Sequence, residues 1–101
     1  MCGICGHSGQ AEPEIVDRML GRLVHRGPDE KGRHDEPGVA LGIRRLRVID
    51  PQGGTQPVTN EASTVWAVMN GEIYNYRELR DELINKGQRF TSRSDTEVLV
   101  H

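Results

Sequence analysis

A mixed α+β fold is what this sequence predicts, and three observations carry the prediction. Apolar residues recur at helical spacing in residues 15–24 and again in 79–84. Runs rich in β-formers occupy 39–49 and 64–69. Asn70-Gly71, the strongest short hairpin signal in the chain, follows the second run. At 101 residues the chain is one small domain at most. Its 35% hydrophobic and 4% aromatic content makes a thin core. With 13 Lys and Arg against 15 Asp and Glu, the net charge of -2 argues against a dedicated nucleic-acid binder. No apolar run approaches the ~18 residues of a membrane span, and the N-terminus carries no signal-peptide core. Two cysteines cannot make a disulfide scaffold, so a reducing cytoplasm is the expected setting.

Met1-Cys2-Gly3-Ile4-Cys5-Gly6 reads as a buried strand. Pro13 opens a helix whose apolar face is Ile15, Met19, Leu20, Leu23 and Val24, with Glu12 and Glu14 near its positive end. His25-Arg26-Gly27-Pro28-Asp29 ends it as a turn. Val39 to Ile49 reads as a strand, bent or split at Gly42, with Leu46 and Val48 on one face and Arg45 and Arg47 on the other. A loop follows at Asp50-Pro51 and Gly53-Gly54. Thr64 to Met69 is the next strand, and Asn70-Gly71 turns it back into Glu72-Ile73-Tyr74. Asn75 with Glu78 forms a capping box for a helix that places Leu79, Leu83 and Ile84 on one face and ends at Gly87. Ser94 and Glu97 form a second capping box ahead of Val98-Leu99-Val100-His101. That last helix starts with a good cap and stops without one, which reads as a chain cut short.

Several residues carry chemistry. Once Met1 is removed, Cys2 holds both a thiol and an α-amine whose pKa of about 7.7–8.0 leaves a neutral fraction able to take the thiol proton. The bland reading of Cys2 is a small buried residue. Cys2-Gly3-Ile4-Cys5 also has the C-x-x-C spacing of zinc knuckles and redox pairs. There is no second cysteine pair, and His7, His25, His34 and His101 lack the spacing of zinc ligands. Arg44-Arg45-Leu46-Arg47 is the one basic cluster; a guanidinium there fits a carboxylate bidentately, or simply faces solvent. Asn70-Gly71 offers a side-chain amide and a backbone N–H at a tight turn, the donors of an oxyanion hole or of a plain turn. Asp95 complements a helix dipole or holds an ammonium group.

Taken together and in order, Met1-Cys2-Gly3-Ile4, His25 to Asp29, Arg45-Leu46 with Val48-Ile49-Asp50, Asn70 to Tyr76, and Ser94 to Glu97 closely resemble the N-terminal glutaminase domain of glutamine-hydrolysing asparagine synthetases. That is a class II glutamine amidotransferase of the N-terminal-nucleophile hydrolase fold. The resemblance implies part of an αββα sandwich, two antiparallel sheets flanked by helices. It implies Cys2 as nucleophile after loss of Met1, attacking the side-chain amide of glutamine with its own α-amine as base. Asn70 and the Gly71 N–H would stabilise the oxyanion. Arg45 would pair with the α-carboxylate, Asp95 and Glu72 would bind the amino end, and the backbone of Val48 and Ile49 would line the pocket. A zwitterionic substrate needs a cation and an anion to receive its two charged groups, and Arg45 with Asp95 would supply them. His25 to Asp29 is read as a structural turn without a catalytic role.

One departure is Ile43, where members of the family often carry His, two residues before the substrate arginine. The other is length: residues 1–101 would be the front of a glutaminase domain, with its remainder and a synthetase domain absent. In the intact protein the ammonia would convert aspartate, activated by ATP and Mg²⁺, to asparagine. No cofactor or metal is expected in this segment, and a homodimer of the intact protein is the assembly considered. Two other outcomes stay open: a related amidotransferase acting on a peptide or sugar acceptor, and an inactive remnant that keeps the glutamine pocket.

Overall fold

A computed structural model of the protein describes residues 2–9, 14–46 and 55–101. In chain order the elements are β1 (Gly3–Ser8), α1 (Glu14–Arg22), β2 (Glu30–Glu36), β3 (Val39–Arg45), β4 (Val58–Thr59), β5 (Trp66–Ala67), α2 (Tyr76–Asn85) and a 3₁₀ helix (Asp95–Val100). They build an α+β structure with two antiparallel sheets, one of three strands in the order β1-β3-β2 and one of β4 with β5. Pro13 and the Val48-Ile49 and Gly53-Gly54 positions lie outside the described residues.

The register sets the two faces of the larger sheet. Cys5, Gly42 and Arg33 share one row, and Ile4, Ile43 and Gly32 share the next. Because side chains alternate along a strand, the first row faces α1 and the second faces away from it. Val16 and Leu20, one helical turn apart, pack with Ala40 and Cys5 to form the core on the α1 side. The expected helical face therefore rotates: Val16 is fully buried, while Val24 lies in the turn after α1 and is exposed. Gly42 does not split β3, since pairing runs through it on both sides. A side chain there would press on Val16, Leu20 and the Cys5 sulfur at 3.0–3.1 Å, so glycine is what lets α1 sit this close.

The sequence reading of the first two strands needs correction. β1 is an edge strand rather than a buried one, and Ile4 on its outer face is 48% exposed. β2 was not foreseen, because Glu30-Lys31-Gly32-Arg33-His34-Asp35-Glu36 has no apolar alternation. It forms because β3 offers a full antiparallel partner and its charges find one another. Arg33 bonds Asp17 of α1 at 2.6 Å and Asp35 at 2.9 Å.

On the sheet face away from α1, the indole of Trp66 stacks on His34, with ring centroids 3.6 Å apart. The β4–β5 hairpin that carries Trp66 closes through Asn60, whose Oδ1 accepts from the N–H groups of Thr64 and Val65. β5 thus pairs backwards with β4, and residues 72–74 do not form the returning strand expected after Asn70-Gly71. α2 starts and ends where expected, with Gly87 at φ +94 beyond its last turn, but Asn75 makes no side-chain capping bond. The last helix is 3₁₀; Ser94 caps it by accepting from Thr96 N, whereas Glu97 reaches past Ser94 to the backbone of Thr91 and Ser92.

Candidate active site

At one end of the three-stranded sheet, Gly3 pairs with Arg44 and Glu30 with Arg45. Extending that register by one residue sets Cys2 across from Arg45, about 5 Å apart in a typical antiparallel ladder. Cys2, Arg45 and Glu30 then share a row on the face away from α1. Arg45 Nη1 donates to Glu30 Oε1 at 3.1 Å, with both side chains largely enclosed. One N–H of a five-donor fork is committed there, which fixes where the guanidinium points. Arg44, on the opposite face, donates from Nε to the Gly27 carbonyl at 2.9 Å and from Nη2 to the Pro28 carbonyl. Asp29 N donates to the Arg45 carbonyl in turn. A Cβ on Gly27 would fall onto the Arg44–Arg45 peptide itself, so only glycine permits this approach. The turn at 25–29 is thus a brace beneath Arg45.

Cys5 lies on the other face from this row, against Val16 and Leu20. Burial pushes its thiol pKa up, with Arg33 pulling the other way. The odd spacing that separates Cys2 from Cys5 therefore sends the two sulfurs to opposite faces of the sheet, which removes the geometry of a C-x-x-C pair. Among the described residues no group of three His, Cys, Asp or Glu side chains could hold a metal ion.

The second cluster is the loop after β5. Asn70, Gly71 and Glu72 are exposed, and the segment is pinned at both ends by side-chain acceptors. Gln56 Oε1 accepts from Met69 N at 2.8 Å, and Asp95 Oδ2 accepts from Ile73 N at 2.8 Å. A hydrogen bond from a backbone N–H to a carboxylate is worth roughly 1.5–3 kcal/mol, which is why the loop needs no strand partner. Gln56 also donates to Thr96 Oγ1 at 3.4 Å, next to Asp95. Its backbone lies against β2, where a Cβ on Gly32 would collide with the Gln56 carbonyl oxygen. Gly32 stands two residues along β2 from Glu30, a step of about 7 Å. The Cys2–Arg45 end of the sheet and the Asn70–Asp95 loop are therefore joined through Gln56.

Comparison with known proteins decides what this arrangement belongs to. The chain matches the family of the glutamine amidotransferase domain along residues 1–101. It belongs to that family. Among its relatives is asparagine synthetase (glutamine-hydrolysing) 1 of Bacillus subtilis, 44% identical over 99% of this chain and 17% of that protein. Asparagine synthetase (glutamine-hydrolysing) 1 of Arabidopsis thaliana is 43% identical over 100% of this chain and 18% of its own length. A third, asparagine synthetase 3 of B. subtilis, is 42% identical over 100% of the chain. The chain thus spans under a fifth of these relatives, 17% and 18% of the first two, and is homologous to their glutaminase part. No helix among the described residues of the amidotransferase domain is long and apolar enough to cross a membrane.

Of the site residues the sequence predicted, Arg45 lies at the Cys2 end of the sheet, and Asp95, at the start of the 3₁₀ helix, accepts from Ile73 N just after Asn70, Gly71 and Glu72. Val48 and Ile49 are outside the described residues. Ile43, two residues before Arg45, is fully buried in the middle strand. Sequence reasoning passed over Gln56, Glu30 and Gly32. A glycine inside a run of charges was the available sign for Gly32, and an extra carboxylate 15 residues ahead of Arg45 was too distant to read.

Proposed function

We propose that this domain hydrolyses glutamine to glutamate and ammonia through a thioester on Cys2. With Met1 removed, the Cys2 α-amine takes the thiol proton and the sulfur attacks the side-chain carbonyl carbon of glutamine. The tetrahedral oxyanion is met by the Asn70 amide and the Gly71 N–H. Collapse breaks the carbon–nitrogen bond, and the proton held by the α-amine leaves with the nitrogen as ammonia. Water then attacks the thioester, restoring the thiol and releasing glutamate. Arg45 holds the α-carboxylate, Asp95 and Glu72 the amino end, and the backbone of Val48 and Ile49 lines the pocket. The Asp95–Ile73 bond is the observation that supports this most, because it ties the expected ammonium-binding carboxylate to the loop bearing the expected oxyanion donors.

The names of the relatives support asparagine as the end product in the full-length protein, where ammonia would be added to aspartate. ATP and Mg²⁺ would activate that aspartate in parts of the protein beyond these residues. The α1–sheet–hairpin stacking supports an αββα sandwich as the complete architecture, and the same reading takes the intact protein as a cytoplasmic enzyme, with a homodimer as the assembly considered. Cys2→Ala in the full-length protein should abolish glutamine-dependent asparagine formation and leave ammonia-dependent formation intact. Loss of both activities in a folded variant would contradict separate glutaminase and synthetase sites.

A further inference from the structure

We infer that Gln56 is the positioning residue that fixes the distance between the two ends of the glutamine pocket. The inference rests on the glutaminase reading above. Gln56 is 6% exposed, and both ends of its amide are committed, Oε1 to Met69 N at 2.8 Å and Nε2 to Thr96 Oγ1 at 3.4 Å. Met69 precedes Asn70, and Thr96 follows Asp95. One planar amide therefore touches the neighbour of the oxyanion donor and the neighbour of the ammonium-binding carboxylate.

The Asp95 bond to Ile73 closes the circuit, which runs Gln56, Met69 to Ile73, Asp95, Thr96 and back to Gln56. While the ring is intact, the attachments at Met69 and Ile73 limit how far Asn70 and Asp95 can move apart. Packing alone does not call for Gln here. A methionine of similar length would fill the same space without an amide to desolvate, and burying an amide is costly unless both ends are bonded. The ring's anchor is the Gln56 backbone, which rests on Gly32 of the sheet that carries Arg45. Gln56 touches no substrate in this account; it acts through Asn70 and Asp95.

The test is steady-state glutaminase kinetics of the full-length protein with Gln56→Met, Gln56→Glu and Thr96→Val, each with a thermal melt. Gln56→Met removes both bonds and should lower kcat about 10- to 100-fold, the scale of a misplaced catalytic group, and raise the glutamine KM. Gln56→Glu keeps an acceptor for Met69 N–H and can accept from the Thr96 hydroxyl, so it should restore kcat to within about fivefold of wild type. Thr96→Val breaks only the Asp95 side and should raise KM with little change in kcat. Wild-type kcat and KM in a folded Gln56→Met would overturn the inference, as would Gln56→Glu failing to improve on Gln56→Met. If Gln56→Met does not fold, Thr96→Val decides alone: a raised KM at an unchanged melting temperature supports the ring, and an unchanged KM removes it. The underlying glutaminase reading fails separately, by glutamine hydrolysis persisting in Asn70→Ala and Cys2→Ala.

Discussion

The stretch from Gly3 to Arg45 and the stretch from Gln56 to His101 are assembled by different means. In the first, backbone ladders across three strands and a small apolar core of Val16, Leu20, Ala40 and Cys5 carry the structure. In the second, β4 and β5 pair over only two residues each, and α2 buries no residue. Beside buried Val58 and Val100, it is held by polar side chains that accept from backbone N–H groups: Gln56 on Met69, Asn60 on Thr64 and Val65, Asp95 on Ile73, and Glu97 on Thr91 and Ser92. A ladder leaves little freedom to place a side chain at an odd angle. Side-chain acceptors let a loop present Asn70 and Gly71 outward while its ends stay held, so the stretch without long ladders bears the proposed oxyanion donors and the laddered stretch the proposed nucleophile.

Breaking the junction between the halves should have the largest effect on stability. Gly32→Ala would push a methyl group into the Gln56 carbonyl and force backbone to move, at a cost of about 1–3 kcal/mol. Thermal melts and glutaminase kcat should fall together in this variant. A normal melt with normal kcat would mean that Gln56 does not rest on β2 as described.

The second-region logic also predicts a pH response. Burial would raise the pKa of Glu97, which is 3% exposed, but bonds from Ser92, Thr91 and His101 outweigh it and hold the carboxyl below its ordinary value. A group whose folded pKa is depressed contributes stability above its unfolded pKa and loses it as pH falls through the folded one. The wild-type melting temperature should therefore drop below the ordinary carboxylate range, and Glu97→Gln should flatten that part of the profile. An identical profile in Glu97→Gln would assign the acid sensitivity to other groups.

The smallest expected effect belongs to the regular half. A side chain at Gly21, in the last turn of α1, would meet nothing within 4 Å. Gly21→Ala should stabilise the protein by about 0.5–1 kcal/mol with unchanged catalysis, as a gain in helix propensity alone. A loss of glutaminase activity in that variant would mean α1 is coupled to the pocket.

The same contrast explains what could be read from the residues. α1, β3, α2 and the Ser94 cap were legible because apolar spacing and capping residues are local. β2 was not, since a polar strand is made by its partner rather than by its own pattern. The returning strand at Glu72-Ile73-Tyr74 was predicted from a genuine hairpin signal, but Asp95 and Gln56 satisfy the loop's N–H groups and leave no need for a ladder. Arg45 and Asp95 could be put forward as ligands of glutamine from their charge and motif. The contacts of Gln56 and Glu30 could not be read, because they arise only when segments 15 to 40 residues apart meet.

The most direct test of the account is the intact mass of the full-length protein before and after treatment with an electrophilic glutamine analogue. The account predicts loss of Met1 and a single covalent adduct on Cys2, absent in Cys2→Ala, with Cys5 unmodified because its thiol packs against α1 and partial burial raises its pKa, disfavouring the thiolate. An adduct on Cys5, or a Cys2 that stays unlabelled after Met1 is removed, would contradict it.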